Sequence, residues 1–184
     1  MEFIRRLRHK LHDRFLEKAV NQLSQSHRSL AFSDIRGVGV LFDAEKLTHF
    51  KQIKAFINQL KEQKKQVRVL GYFKGKHDHS NLEYRTFGQK DLDWYLRPKG
   101  FEIEEFKRHK IDVLINCCLS PELPLEYLSA TSNAEFRIGP FTQNSHCYDL
   151  MLDVPDPEDI EHYLHRVEFF LNHLNQSKHE SNAV

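Results

Sequence analysis

The hydrophobic positions of the chain fall into short continuous runs separated by stretches that repeat at helical spacing, the alternation expected of an α/β protein. The clearest run is Gly37 to Asp43, Gly-Val-Gly-Val-Leu-Phe-Asp, entered through glycines and left through an aspartate. It predicts a strand buried on both faces at the centre of a parallel sheet. Glu45 to Lys64 places Leu47, Phe50, Ile53, Ile57 and Leu60 on one helical face, and Gln66 to Phe73 is a second strand. Together these make one βαβ unit.

The same pattern continues downstream. Phe101 to Lys110 is a short charged helix facing inward through Ile103 and Phe106, and Ile111 to Asn116 is the next buried strand. Ser120, Pro121 and Glu122 predict a helix start, because serine accepts from free backbone N–H groups and proline suits the first turn; that helix reaches Ala130. Glu135 to Gly139 and Tyr148 to Val154 are two further strands. The last helix is capped by Asp156, opened by Pro157 and apolar at Ile160, Tyr163, Leu164, Val167, Phe170, Leu171 and Leu174. Tyr84 to Gly100 has the weakest pattern, with Phe87, Leu92, Trp94, Tyr95 and Leu96 suggesting a short strand and an anchor.

Ahead of the sheet, Glu2 to Gln25 reads as an amphipathic helix with Phe3, Leu7, Leu11 and Phe15 in one stripe, broadened by Ile4, Leu16, Val20 and Leu23. Its other side is basic through Arg5, Arg6, Arg8, Lys10, Arg14 and Lys18, with His9 and His12 adding conditional charge. Such a helix docks on its own domain or a twin subunit, lies on an anionic membrane, or meets RNA phosphates. Docking is the favoured reading, since packing alone explains the stripe. The domain plan is then residues 1–25 as the basic helix, Ser24 to Ser29 as a linker, 33–176 as a single α/β domain, and 177–184 as a frayed tail. The expected architecture is three-layered and Rossmann-like: a mostly parallel sheet of about five strands with helices on both faces.

Composition narrows the function classes. In 184 residues, 27 basic and 26 acidic side chains nearly cancel, so the molecule carries no general field for collecting phosphate. Three cysteines, two of them adjacent at Cys117 and Cys118, with no secretory leader pattern, fit a soluble protein of the reducing cytoplasm. No apolar run approaches the roughly 20 residues needed to span a bilayer.

Ligands of open parallel sheets gather beyond the C-terminal ends of the strands. The residues expected there are Asp43, Lys74, Lys76, Asn116, Cys117 and Ser120, which form the candidate pocket. Asp43 is a potential base, but it equally suits a helix cap. Cys117 and Cys118 lack Cys-x-x-Cys spacing, and cysteine at a strand end is commonly a small buried residue. His77-Asp78-His79 has metal-binding side chains, yet adjacent loop residues point apart and no further ligand follows, so no metal and no cofactor are expected. The phosphate-cradling glycine loops and the Gly-x-Ser-x-Gly elbow are absent.

Taken in order, Gly37 to Asp43, Val67 to Phe73, Ile111 to Asn116 and Ser129 to Gly139 resemble a small family of uncharacterised cytoplasmic proteins known mainly from Bacteroidota, a resemblance that implies no activity. Locally, Ile111 to Asn116, Leu128-Ser129-Ala130 and Ala134 to Gly139 are similar to part of the N-terminal lobe of heptosyltransferase-type glycosyltransferases. That similarity implies at most an acceptor-side lobe. The leading functional reading is a noncatalytic binding or adaptor domain, engaging a protein partner, or itself, through the strand-end edge or the helix carrying Arg5, Arg6, Arg8, Lys10 and Arg14. The alternatives are an enzyme acting on a sugar or nucleotide ligand, with Asp43 as base, Lys74 or Lys76 on phosphate and Asn116 orienting substrate, and a ribosome- or RNA-associated protein.

Overall fold

A computed structural model describes residues 2–22, 35–75, 83–143 and 147–181, with side chains for 6–18 and 147–173 at the two ends. The predicted strand at Gly37–Asp43 is β1. It is followed by α2 (Leu47–Glu62), β2 (Gln66–Phe73), β3 (Arg85–Gly88), α3 (Phe101–Arg108), β4 (Val113–Asn116), α4 (Leu123–Ala130), β5 (Phe136–Pro140), β6 (Leu150–Leu152) and α5 (Ile160–Ser181), with α1 (Glu2–Gln22) ahead of them all. The strands form one sheet in the order β3-β2-β1-β4-β5-β6, and each neighbouring pair is parallel. This is a doubly wound order that reverses between β1 and β4.

β1 is apolar as far as Phe42 because both of its faces are covered. Val38, Val40 and Phe42 join Ile53, Phe56, Ile57 and Leu60 of α2 and Tyr163, Leu164 and Val167 of α5 in one core. Leu41 turns the other way, into a second core with Ile103 and Phe106 of α3 and Leu125 and Leu128 of α4. The glycine at 37 answers a close approach: a Cβ there would sit 2.4 Å from Lys110 O. The buried Asp112 carboxylate fixes that end of the sheet by accepting Arg36 N–H at 2.7 Å and Gly37 N–H at 2.8 Å. Burial works to raise the Asp112 carboxyl, but these bonds, with Lys110, outweigh it and hold it below its ordinary value.

The sheet has six strands where about five were expected; β3, in the stretch read as a short strand and an anchor, pairs with Leu70 to Phe73 and contributes one large buried side chain, Phe87. Four details depart from the sequence reading. Asp43 does not cap α2: its Oδ1 accepts Glu45 N–H at 2.9 Å in a turn, and Lys46 occupies the cap position without a side-chain bond. Ser120 does not cap α4, which begins later with Glu122 before its first residue and Pro124 in its first turn. Asp156 closes the preceding turn by accepting Glu158 N–H at 2.9 Å, and Asp159 takes His162 N–H at 2.9 Å, the side-chain cap of α5. Finally, α1 buries Leu16 of the stripe as expected, but it also buries His12 from the side read as polar, whereas Leu7 of the stripe is 40% exposed. The linker at Ser24 to Ser29 lies outside the described residues.

Candidate functional site

α1 is held on the domain by a loop that the sequence left unassigned. Between Asp91 and Lys99 the chain closes on itself: Lys99 N–H donates to Asp91 O at 2.8 Å, and Leu92 and Pro98 form an antiparallel bridge. Asp93 organises the interior of this loop, its Oδ1 accepting Tyr95 N–H at 2.8 Å and Arg97 N–H at 3.0 Å, its Oδ2 accepting Arg97 Nε–H at 2.7 Å. Burial would raise the Asp93 carboxyl, but the bonds from Arg97 and Tyr95 prevail and hold it below the ordinary carboxylate value. Leu96 at the tip adopts a left-handed backbone with φ of 63°.

The helix meets this loop through Phe15, Arg8 and His12. The Arg97 guanidinium lies 4.6 Å over the Phe15 ring, and Phe15 packs on Tyr95 with ring centres 4.8 Å apart. Arg8 Nε–H donates to Trp94 O at 2.8 Å. His12, fully buried, donates from Nδ1 to Tyr95 O at 2.8 Å, which fixes its tautomer and leaves Nε2 without a hydrogen-bond partner among the described residues. Burial lowers the His12 pKa, against the opposing pull of the Tyr95 bond and of the Asp13 and Glu126 charges.

Between α1, this loop and the strand ends lies a cleft of about 790 Å³, within the range of small-molecule sites. Tyr72 and Lys74 enter it from the end of β2, and Gln89 from beyond β3. Glu122 and Leu123 enter from the start of α4, Arg8 from α1, and Trp94 from the loop. Lys74 Nζ sits 3.1 Å from Glu122 Oε1. Burial raises the Glu122 carboxyl, a rise that the Lys74 bond and charge oppose. Burial, with the charges of Glu122, Glu45 and Asp43 added, pushes the Tyr72 phenol up to about 12, so it enters the cleft protonated.

Of the residues expected at the strand-end edge, Lys74 lines this cleft. Lys76 and the His77-Asp78-His79 run lie outside the described residues. Asn116 is committed elsewhere. It is 2% exposed, donates from Nδ2 to Tyr148 Oη at 2.6 Å and accepts Cys118 N–H at 3.1 Å, while its own carbonyl takes Tyr163 Oη–H at 2.8 Å. Cys117 and Cys118 are unpaired and buried, burial pushes both thiols up, and Cys118 Sγ is directed at Ser120 O, 2.9 Å away. Asp43 remains at the end of β1, where Glu45 also ties the following turn to β2 by accepting Gly75 N–H. Lys46 and His49 meet Glu158 from the turn before α5. The crevice at the β1/β4 reversal is therefore occupied by the chain's own side chains, and the open space lies to the β2/β3 side.

On the basic helix, Lys10 and Arg14 are exposed, Arg8 is turned inward, and the side chain of Arg5 is not among those described. Sequence reasoning missed the cleft because its walls come from separate segments; the one available signal was an adjacent Trp94-Tyr95 pair in a polar, weakly patterned stretch. Among the described residues no cluster of three or more His, Cys, Asp or Glu is placed to hold a metal ion. No helix among them is long and apolar enough to cross a membrane.

A family model described as a family of unknown function matches residues 8–174, from the part of α1 that carries Arg8 to the body of α5. Comparison with curated proteins and with solved structures gave no match.

Proposed function

The chain belongs to that family of unknown function, DUF6913, and from this premise we propose that it is a noncatalytic binding domain whose α1-covered cleft receives a small organic ligand. The observation that carries the reading is the cleft itself: about 790 Å³ with Trp94 and Arg8 on its wall, both tied to a loop that Asp93 pins from within. Side chains held this way are set before a ligand arrives, which reduces the ordering cost of binding. The groups an enzyme would have used support the same reading. The two strand-end thiols are buried and neutral, and Asn116 is engaged by internal bonds. Unpaired cysteines favour a reducing, cytoplasmic setting for it.

The test is a thermal-shift screen of the full chain with nucleotides, sugar nucleotides, phosphosugars and aromatic acids, since ligand in large excess over its dissociation constant raises apparent stability. At least one class should raise the midpoint saturably. Gln89→Trp, a bulky change at an exposed wall residue, should abolish the shift without lowering the midpoint of the free protein. A screen with no shift, or a shift that survives Gln89→Trp, overturns the reading. The sugar-nucleotide arm also tests the glycosyltransferase-lobe resemblance.

A further inference from the structure

The charge balance and the one large aromatic surface of the cleft narrow the ligand further. Its two wall carboxylates are already answered, Asp93 by Arg97 and two backbone N–H groups, Glu122 by Lys74. Arg8 is different. Its Nε–H goes to a neutral carbonyl, and none of the ion pairs among the described residues includes it. Arg8 is thus the wall cation without a carboxylate partner, and Lys74, 61% exposed, can turn from Glu122 toward a stronger partner, helped by the negative charge that Asp43 and Glu45 already place near Glu122. Arginine's planar fork pairs with carboxylate or phosphate oxygens in two parallel bonds.

The apolar half is organised around Trp94, whose side chain is left 50% exposed although Tyr95 braces it edge-on at 5.2 Å and 90°. Leu92, Leu96 and Leu123 add apolar surface to the same cleft wall. A braced, half-open indole, with the Arg8 guanidinium carbon 6.0 Å over its ring and answered by no carboxylate, offers a stacking surface and an anion site in one cavity. We infer that the cleft takes a flat aromatic molecule bearing one anionic group, the ring lying against Trp94 and the anion held by Arg8 with Lys74. The inference rests on the proposed binding function and adds the chemical class of the ligand.

Trp94 is the single tryptophan of the chain, so its emission reports the site directly. The experiment titrates the full chain with AMP and 4-hydroxybenzoate, and with their uncharged counterparts adenosine and 4-hydroxybenzyl alcohol, following Trp94 quenching with calorimetry beside it. At least one anion should quench saturably and bind about tenfold or more tighter than its uncharged counterpart, the scale of a charge-assisted bond. Binding of AMP alone assigns a phosphate ligand, of 4-hydroxybenzoate alone a carboxylate. Arg8→Gln should bring the anion down to the affinity of its neutral counterpart, and Arg8→Lys should restore part of the difference. Lys74→Met, which leaves α1 untouched, should weaken the anion and spare the neutral ring, so the result does not depend on α1 staying docked in the Arg8 variants. Neutral and charged forms binding alike, or Arg8→Gln and Lys74→Met both leaving the anion unaffected, overturns this inference while the binding function stands. A thermal-shift hit that is not an aromatic anion, with all four probes silent, does the same; silence in both experiments removes the binding function as well.

Discussion

Two places in this molecule compete for the role of site: the crevice where strand order reverses between β1 and β4, and the cleft beyond β2 and β3. The first is where doubly wound sheets ordinarily hold ligands, but here Asn116, Cys117 and Cys118 are each 3% exposed or less, with Asn116 and Cys118 bonded to their neighbours and Cys117 packed in the core. The second owes its walls to a loop and a helix outside the sheet, and it stays open. The difference shows that sheet topology nominates an edge, whereas the segments packed over that edge decide which part of it stays accessible.

Breaking the closed region should have the largest effect. Asn116→Leu leaves the Tyr148 hydroxyl and the Cys118 N–H unpaired in the interior, and urea unfolding should show a loss of about 3 kcal/mol. Cleft ligands should bind this variant as before whenever it is folded. An unchanged midpoint would mean that the crevice is not tied shut as described.

Asp93→Ala acts on the open region and should cost about 2 kcal/mol in the same measurement, through loss of the bonds that shape the loop. It should also shift Trp94 emission, which Asn116→Leu should not. In the wild type the contribution of Asp93, whose folded pKa is depressed, is full at neutral pH and lost only as pH falls through that lowered value.

Acid should loosen α1 earlier. The folded protein binds a proton at His12 less readily than the unfolded chain does, so this stabilisation is full above the ordinary histidine value of 6.5 and declines as pH drops below it. His12 faces Glu126 and Tyr127 of α4 and has Asp13 and His9 beside it on α1; the two carboxylates temper the effect without reversing it. Trp94 emission should follow this decline, and His12→Gln should flatten it. A pH-independent signal between neutral and mildly acidic conditions would contradict the buried placement. Lys74→Met should have the smallest effect on stability, within about 0.5 kcal/mol, because the lysine end of this ion pair is 61% exposed and Glu122, whose carboxyl burial raises, can take up a proton when the lysine is removed.

The elements with strong hydrophobic patterns were legible in the sequence: β1 and β2 have the residue bounds that their apolar runs suggested, and α5 follows its inward stripe. β3 left only the suggestion of a short strand without bounds, because Arg-Thr-Phe-Gly carries one large apolar side chain and pairs only with the last half of its neighbour. His12 read as a polar-face residue because no local signal announces a carbonyl partner 83 positions away. Asn116 read as a ligand-facing amide for the same reason: a polar residue at a strand end looks alike whether it meets a ligand or Tyr148. The cleft brings together residues from 8 to 124, a convergence made by chain folding and invisible to periodicity.

Leu96 holds a backbone shape that a glycine adopts without steric penalty and that a branched side chain resists by about 1 kcal/mol. A Leu96→Gly chain would therefore gain ease at that bend and lose the isobutyl group beside Trp94, trading a firm rim for a pliant one. The two effects pull against each other at a single position, which sets the firmness of the cleft's rim against the ease of its bend.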